Sequence, residues 1–190
     1  MKSVRIPLLA AMTIALLLCT SCIVRSVNPW LKDSSLTFDE DLLGGWVGVD
    51  EHTRTAMTFT RGKENFYIVQ YSDKDQQGVF EGRLAKFGGE LYLDFRPLNS
   101  APGLDGMLLF PTHSIARLEL SSNSLAVHTL NYEAVKAAAK LDRLRRVTYS
   151  WDAEDEMVFT STTEEMQSFL LNLGKDSDLY SPPIRLTRKQ

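Results

Sequence analysis

Apolar and polar positions alternate with a period of two from Leu42 onward, the spacing of a half-buried strand. Met57 and Phe59 alternate with Thr58 and Thr60, and Leu91, Leu93 and Phe95 with Tyr92, Asp94 and Arg96. Between them lie an aromatic and β-branched run, Phe66 to Tyr71, and a longer run, Val79 to Phe87. Turn residues bound each run: Arg61 to Asn65, Asp73 to Gly78, and Gly88-Gly89, a two-residue hairpin signal. Connections this short make neighbours antiparallel, so Gly45 to Arg96 reads as a five-stranded meander. After a loop over Pro97 to Gly106, further strands are expected at Met107 to Leu120, broken or bulged at Pro111, and at Leu125 to Leu130.

The period then changes. Asn131 is placed to cap a helix reaching about Leu144. Arg146 to Trp151 and Glu156 to Thr160 read as a hairpin. Ser161 to Glu164 has the spacing of a capping box, ahead of a helix with Met166, Phe169, Leu170 and Leu173 on one face and Gly174 at its end. Ile184 to Thr187 is expected as a short edge strand. The fold class is therefore mainly β (α+β). An antiparallel meander of about seven to nine strands forms a barrel or strongly curved sheet, with two helices near the C-terminal end.

The first residues follow another pattern. Lys2 and Arg5 precede an apolar stretch from Ile6 to Leu18, shorter than the roughly 20 residues that span a bilayer. Leu18-Cys19-Thr20-Ser21-Cys22 resembles the lipobox of bacterial lipoproteins, with Cys19 where leucine is usual. The resemblance implies cleavage before Cys22, a diacylglycerol thioether on its thiol and acylation of the new amine. Two or three long chains make a lasting anchor, at about 0.8 kcal/mol per buried CH₂. Ile23 follows the cysteine, where an inner-membrane lipoprotein would carry aspartate. The implied address is the cell envelope, at the periplasmic face of the outer membrane in a Gram-negative host. Residues 1–21 would be the signal, 22–41 a lipidated N-terminus and tether, and 42–190 one β-rich domain.

Charge narrows the partners. Without residues 1–21 the balance is 19 basic to 24 acidic residues, which argues against nucleic acid. Cys19 and Cys22 are the only cysteines, so no disulfide is expected beyond them. Asp73-x-Asp75-x-Gln77-Gly78 begins like a calcium loop, but its twelfth position is Leu84, so a polar hairpin is expected. Asp152, Glu154, Asp155 and Glu156 read as a solvated turn. His52, His113 and His128 lack metal-ligand spacing, though His113 and His128 would be neighbours if their strands paired in register. Arg143, Arg145 and Arg146 suit the C-terminal end of a helix dipole. With no nucleophile elbow, phosphate loop or zinc motif, no enzyme, metal or cofactor is expected.

Gly44-Gly45-Trp46, opening the first strand of the meander, resembles the Gly-x-Trp signature of lipocalins. That resemblance implies a barrel plugged by Trp46, an arginine from near the last strand stacked on it, and a small apolar ligand inside. Arg185 is a candidate for the arginine, but the sequence does not assign it. The family's Thr-Asp-Tyr motif is absent, and helices among the last strands depart from its pattern. Trp46, Phe66, Ile68, Phe80, Leu91, Leu93 and Phe95 are the candidate wall residues. Two functions follow: a membrane-anchored barrel binding a small apolar ligand or lipid, or a non-catalytic structural or interaction protein of the envelope with a filled core. The intact mass of the protein from its host's membranes is expected to start at an acylated Cys22; a free thiol or another start removes the anchor.

Overall fold

The strand formers read from the sequence build a closed ring in the structure, a computed structural model describing residues 23–49, 53–98, 112–144, 147–152, 156–173 and 177–189. The chain runs β1 (Arg25–Ser26), β2 (Leu36–Thr37), β3 (Gly44–Val49), β4 (Arg54–Arg61), β5 (Tyr67–Ser72), β6 (Gln77–Phe87) and β7 (Glu90–Pro97). It continues through β8 (Ser114–Leu120), β9 (Ser124–Thr129), α1 (Tyr132–Lys140), β10 (Tyr149–Trp151), β11 (Met157–Phe159), α2 (Thr163–Leu173) and β12 (Ile184–Arg188). Strands β3 to β9 form an antiparallel meander, and β6 pairs with β7 within it. Strand β12 lies between β9 and β3, which completes a closed eight-stranded barrel; β2 adds one outer strand on β6. The strand expected at an edge at Ile184 to Thr187 is thus a closing stave. A terminal strand reveals its partners only when two distant chain ends meet.

Parity along the strands sets the interior. Trp46 lies opposite Met57 and Arg188, Phe59 opposite Val69, Leu84 opposite Leu93, and Leu118 opposite Val127. At one end Phe38, Leu42 and the 3₁₀ turn Glu40–Leu42 close the ring; Phe38 stacks on Tyr67, 4.6 Å between centroids. The Gly88-Gly89 hairpin lies at this end, both glycines at positive φ as the tight turn requires.

The other core lies outside the barrel. Helices α1 and α2 and the small sheet β1-β11-β10 cover the outer faces of β6 to β9 through Ala85, Tyr92, Ile115, Val135, Phe159 and Leu170. Residues expected as a tether are part of this core. Val24, Trp30 and Leu31 are buried, and Trp30 meets Phe159 edge-on at 5.5 Å. Asp94 fixes the crossing strap: its Oδ2 accepts from the Trp30 N–H at 2.8 Å and its Oδ1 sits 2.8 Å from His113 Nδ1. Residues 23–41 are therefore packed into the folded domain rather than forming a free tether ahead of residue 42. Isolated apolar residues among polar ones carry no period, so the strap was illegible as structure.

Other expectations shift slightly. Asn131 caps α1, accepting from the Ala134 N–H at 3.0 Å. The box on α2 is Thr162 with Glu165, while Ser161 is buried and accepts from the Thr148 N–H at 2.6 Å. His128 pairs with Arg117, so His113 is not its cross-strand neighbour. The expected strand over Met107 to Pro111 and residues His52, Arg145, Arg146, Glu154, Asp155 and Gly174 lie outside the described residues, as does Cys22. Trp30→Ala is expected to cost about 3–5 kcal/mol of stability in urea unfolding, as for a buried aromatic; a loss under about 1 kcal/mol would mean that the strap contributes little.

Candidate functional site

Trp46 plugs the closed end of the barrel. Its ring is fully buried, and its Nε1–H donates to the Leu42 carbonyl at 2.9 Å. The arginine stacked on it is Arg188, with its guanidinium carbon 4.3 Å from the ring centroid. Arg188 also donates to the carbonyls of Leu43 at 2.8 Å and Ser122 at 3.0 Å, and to that of Asp41. One planar cation thus joins the 3₁₀ turn, the β8–β9 turn and the plug. Arg185 points outward and is exposed, so that candidate is corrected. A signal existed in the sequence, since Arg188 shares the parity of Ile184 and Leu186.

Of the candidate wall residues, Trp46, Phe80, Leu91, Leu93 and Phe95 face inward. Phe66 and Ile68 do not. Tyr67, Val69 and Tyr71 hold the inward positions of β5, and Phe66 lies outside under the Arg83 guanidinium at 4.5 Å. The run Phe66 to Val69 is apolar on both parities, so alternation alone does not set its phase.

The interior differs from end to end. Near the plug, Leu42, Trp46, Phe59, Tyr67, Leu84, Leu93 and Leu125 are closed to solvent. A Cβ at Gly82 would lie 3.0 Å from Val69 and 3.1 Å from Leu93, so this half is filled by its own side chains. Partly buried inward side chains occur at both ends: Leu91 and Leu120 near the plug, Met57 beside Trp46, and Tyr71, Phe80, Phe95 and Ile184 toward the other end. Phe80 and Phe95 meet edge-on at 5.7 Å. The inward side chains Tyr71, Phe80, Phe95 and Ile184 at that end are apolar or aromatic. At its rim the Tyr71 hydroxyl donates to Asp73 at 2.6 Å; burial and that neighbouring carboxylate push the phenol above its usual range. Asp73 Oδ1 accepts from the N–H groups of Asp75 and Gln76, so the calcium-like sequence is a hairpin turn.

A second polar cluster sits on the outer wall. Buried Arg117 donates to Glu90 at 3.1 Å and Glu119 at 2.9 Å, with its guanidinium carbon 5.5 Å from the Tyr180 ring centroid. His128 Nε2 lies 3.1 Å from Glu119 Oε1 without hydrogen-bond geometry. Burial first, and then the Arg117 charge, lower the imidazole's proton affinity. Arg25 pairs with Asp152 at 2.9 Å and with Glu156, which ties that acidic turn to the strap. Among the described residues no three histidine, cysteine or carboxylate side chains converge on a metal position. A shallow groove of about 530 Å³ lies on the outer wall, along Gly45, Val47, Ala56 and Thr58.

No family model, curated protein or solved structure matches this chain.

Two outcomes follow from these clusters. Arg188→Ala removes a stacked cation and its hydrogen bonds, and about 2–4 kcal/mol of stability should be lost in urea. Arg188→Lys should restore only part of it, because a point charge does not bridge three carbonyls. For His128, the unfolded imidazole titrates near 6.5 and the folded one lower. The unfolded chain therefore binds more protons below pH 6.5, and stability falls as pH drops through that window. In His128→Gln the urea midpoint should change less with pH just below 6.5; an unchanged slope would remove the assignment.

Proposed function

We propose that this protein is a lipid-anchored envelope barrel that holds a small apolar ligand, such as one acyl tail, at the end of the barrel opposite Trp46. One observation supports the ligand reading: Trp46 is fully buried, while the apolar side chains of Phe80, Phe95 and Ile184, inward at the opposite end, are partly exposed. Exposed inward-facing apolar surface is favoured to bind an apolar guest, at about 25 cal/mol per Å² removed from water. The filled base limits that guest to the upper half of the barrel. The Trp46–Arg188 stack supports the likeness to lipocalins, because a barrel built that way is closed at one end and open at the other.

The anchor reading rests on Leu18 to Cys22, one residue before Ile23, which bridges to Asn131. The envelope, and the outer membrane in a Gram-negative host, follow from that anchor. No enzyme activity, metal or cofactor enters this reading, and nucleic acid is not a partner. The competing reading is a barrel with no ligand that docks an envelope protein, and the packed base supports it to that extent.

Native mass spectrometry of the chain from Ile23 onward separates the two. A co-purifying lipid, or uptake of added fatty acid, is expected. Phe95→Arg should abolish that uptake while thermal unfolding stays cooperative. A clean apo mass that takes up neither fatty acid nor phospholipid removes the ligand and leaves the docking barrel.

A further inference from the structure

The outer wall of the barrel is covered on one side only. The apolar cluster that joins the helical layer to the barrel takes in Ala85, Tyr92 and Ile115, and no residue of β12, β3, β4 or β5. Because Trp46, Met57 and Tyr71 face inward, their neighbours along the strands face out. Gly45 and Val47 of β3, Ala56 and Thr58 of β4 and Ser72 of β5 are small, and together they floor the groove of about 530 Å³. Elsewhere in the barrel wall the outward positions carry large side chains or the helical layer; here the backbone is nearly bare.

Three cations line this floor. The register that pairs Ala56 with Ser72, continued by two residues, brings Arg54 beside Lys74 at one end. Lys189 stands at the other. Its N–H donates to the Gly45 carbonyl at 2.8 Å, and its stem lies on that glycine: a Cβ there would be 3.3 Å from the Lys189 Cβ. Gly45 pairs with Thr58, four residues from Arg54, so the two ends are about 13 Å apart at about 3.3 Å per residue. All three cations are exposed, and none forms an ion pair with another described residue. Arg25, Arg61 and Arg83, by contrast, each reach a carboxylate. Asp73 also lines the groove, but its oxygens are taken by the Tyr71 hydroxyl and by the N–H groups of Asp75 and Gln76. Like charges side by side on neighbouring strands repel. Acidic residues outnumber basic ones in this chain, 24 to 21, yet Arg54 and Lys74 sit together with no free acid between them. A bound anion turns that repulsion into attraction.

The donors select the anion. A guanidinium fork, an ammonium group and the Ser72 hydroxyl at one end offer more N–H and O–H groups than the two oxygens of a carboxylate accept; a phosphate monoester presents three oxygens and nearly two charges. We propose that this groove binds an organic phosphate, its phosphate between Arg54 and Lys74 and its uncharged body on Val47 and Ala56 toward Lys189. A soluble phosphate ester and a phospholipid headgroup present the same group to it. The site lies on the outside of the barrel and depends neither on a ligand within the ring nor on Cys22.

The test titrates the full-length product, purified in an uncharged detergent, by calorimetry at low ionic strength, where surface charges are least screened. The probes are glycerol 3-phosphate, dihexanoyl phosphatidic acid below its micellar concentration, and glycerol. Saturable binding of phosphate and none of glycerol is expected. Binding of glycerol 3-phosphate makes a soluble ester sufficient; binding of the phosphatidic acid alone makes the source a lipid headgroup. Arg54→Gln with Lys74→Gln should weaken binding about tenfold or more, the loss of charge-assisted hydrogen bonds. Lys63→Gln with Lys86→Gln removes the same charge from exposed positions outside the groove and should leave the affinity within about twofold, as screened distant charges do. All four side chains are exposed, so both cores stay intact. No saturable binding of either phosphate, or an equal loss in the two double variants, overturns the site.

Discussion

The closure of β12 between β9 and β3 is the constraint on which the rest depends. Without it, seven consecutive strands form a curved sheet with two open edges, and the inward apolar residues face water. With it, every stave of the barrel has two neighbours and the edges vanish. Closure requires close backbone approach: a Cβ at Gly48 would lie 2.4 Å from the Arg185 carbonyl oxygen. The contact also spans most of the domain, Thr187 pairing with Val47. Such long-range pairing carries the loop-closure entropy of the intervening chain.

Arg188 makes closure and plugging one event. The strand that seals the ring carries the cation that lies on Trp46 and bonds to the turns around it. A barrel that failed to close would leave the indole uncovered and those carbonyls unpaired. Plug, base and closing strand are thus coupled through converging hydrogen bonds at one end of the barrel.

The strap adds the second coupling. Trp30 and Leu31 fill the space between barrel and helical layer, and Asp94 holds the strap's backbone with a buried carboxylate. A buried polar group is tolerated only where it is hydrogen-bonded, and the Asp94 carboxyl has the Trp30 amide and His113 as partners. The strap leaves the end opposite the plug, crosses β8, β7 and β6 and delivers the chain to the plug end, where β3 begins. Ile23 and the start of the first stave are therefore at opposite ends of the barrel.

The sequence alone determined the elements with strong local signals. The strands of the meander, the Gly88-Gly89 turn, the Asn131 cap and the apolar stripe of α2 were legible because period, turn chemistry and capping act within a few residues. Trp46 was legible as a plug only through its resemblance, and five of the seven wall candidates through alternation. Tertiary structure decided the rest. The inward parity of Tyr67 over Phe66 and Ile68, the pairing of β12 on both sides, the Arg188 stack and the burial of Trp30 all depend on partners 28 to 147 residues away, and no local pattern encodes a distant partner.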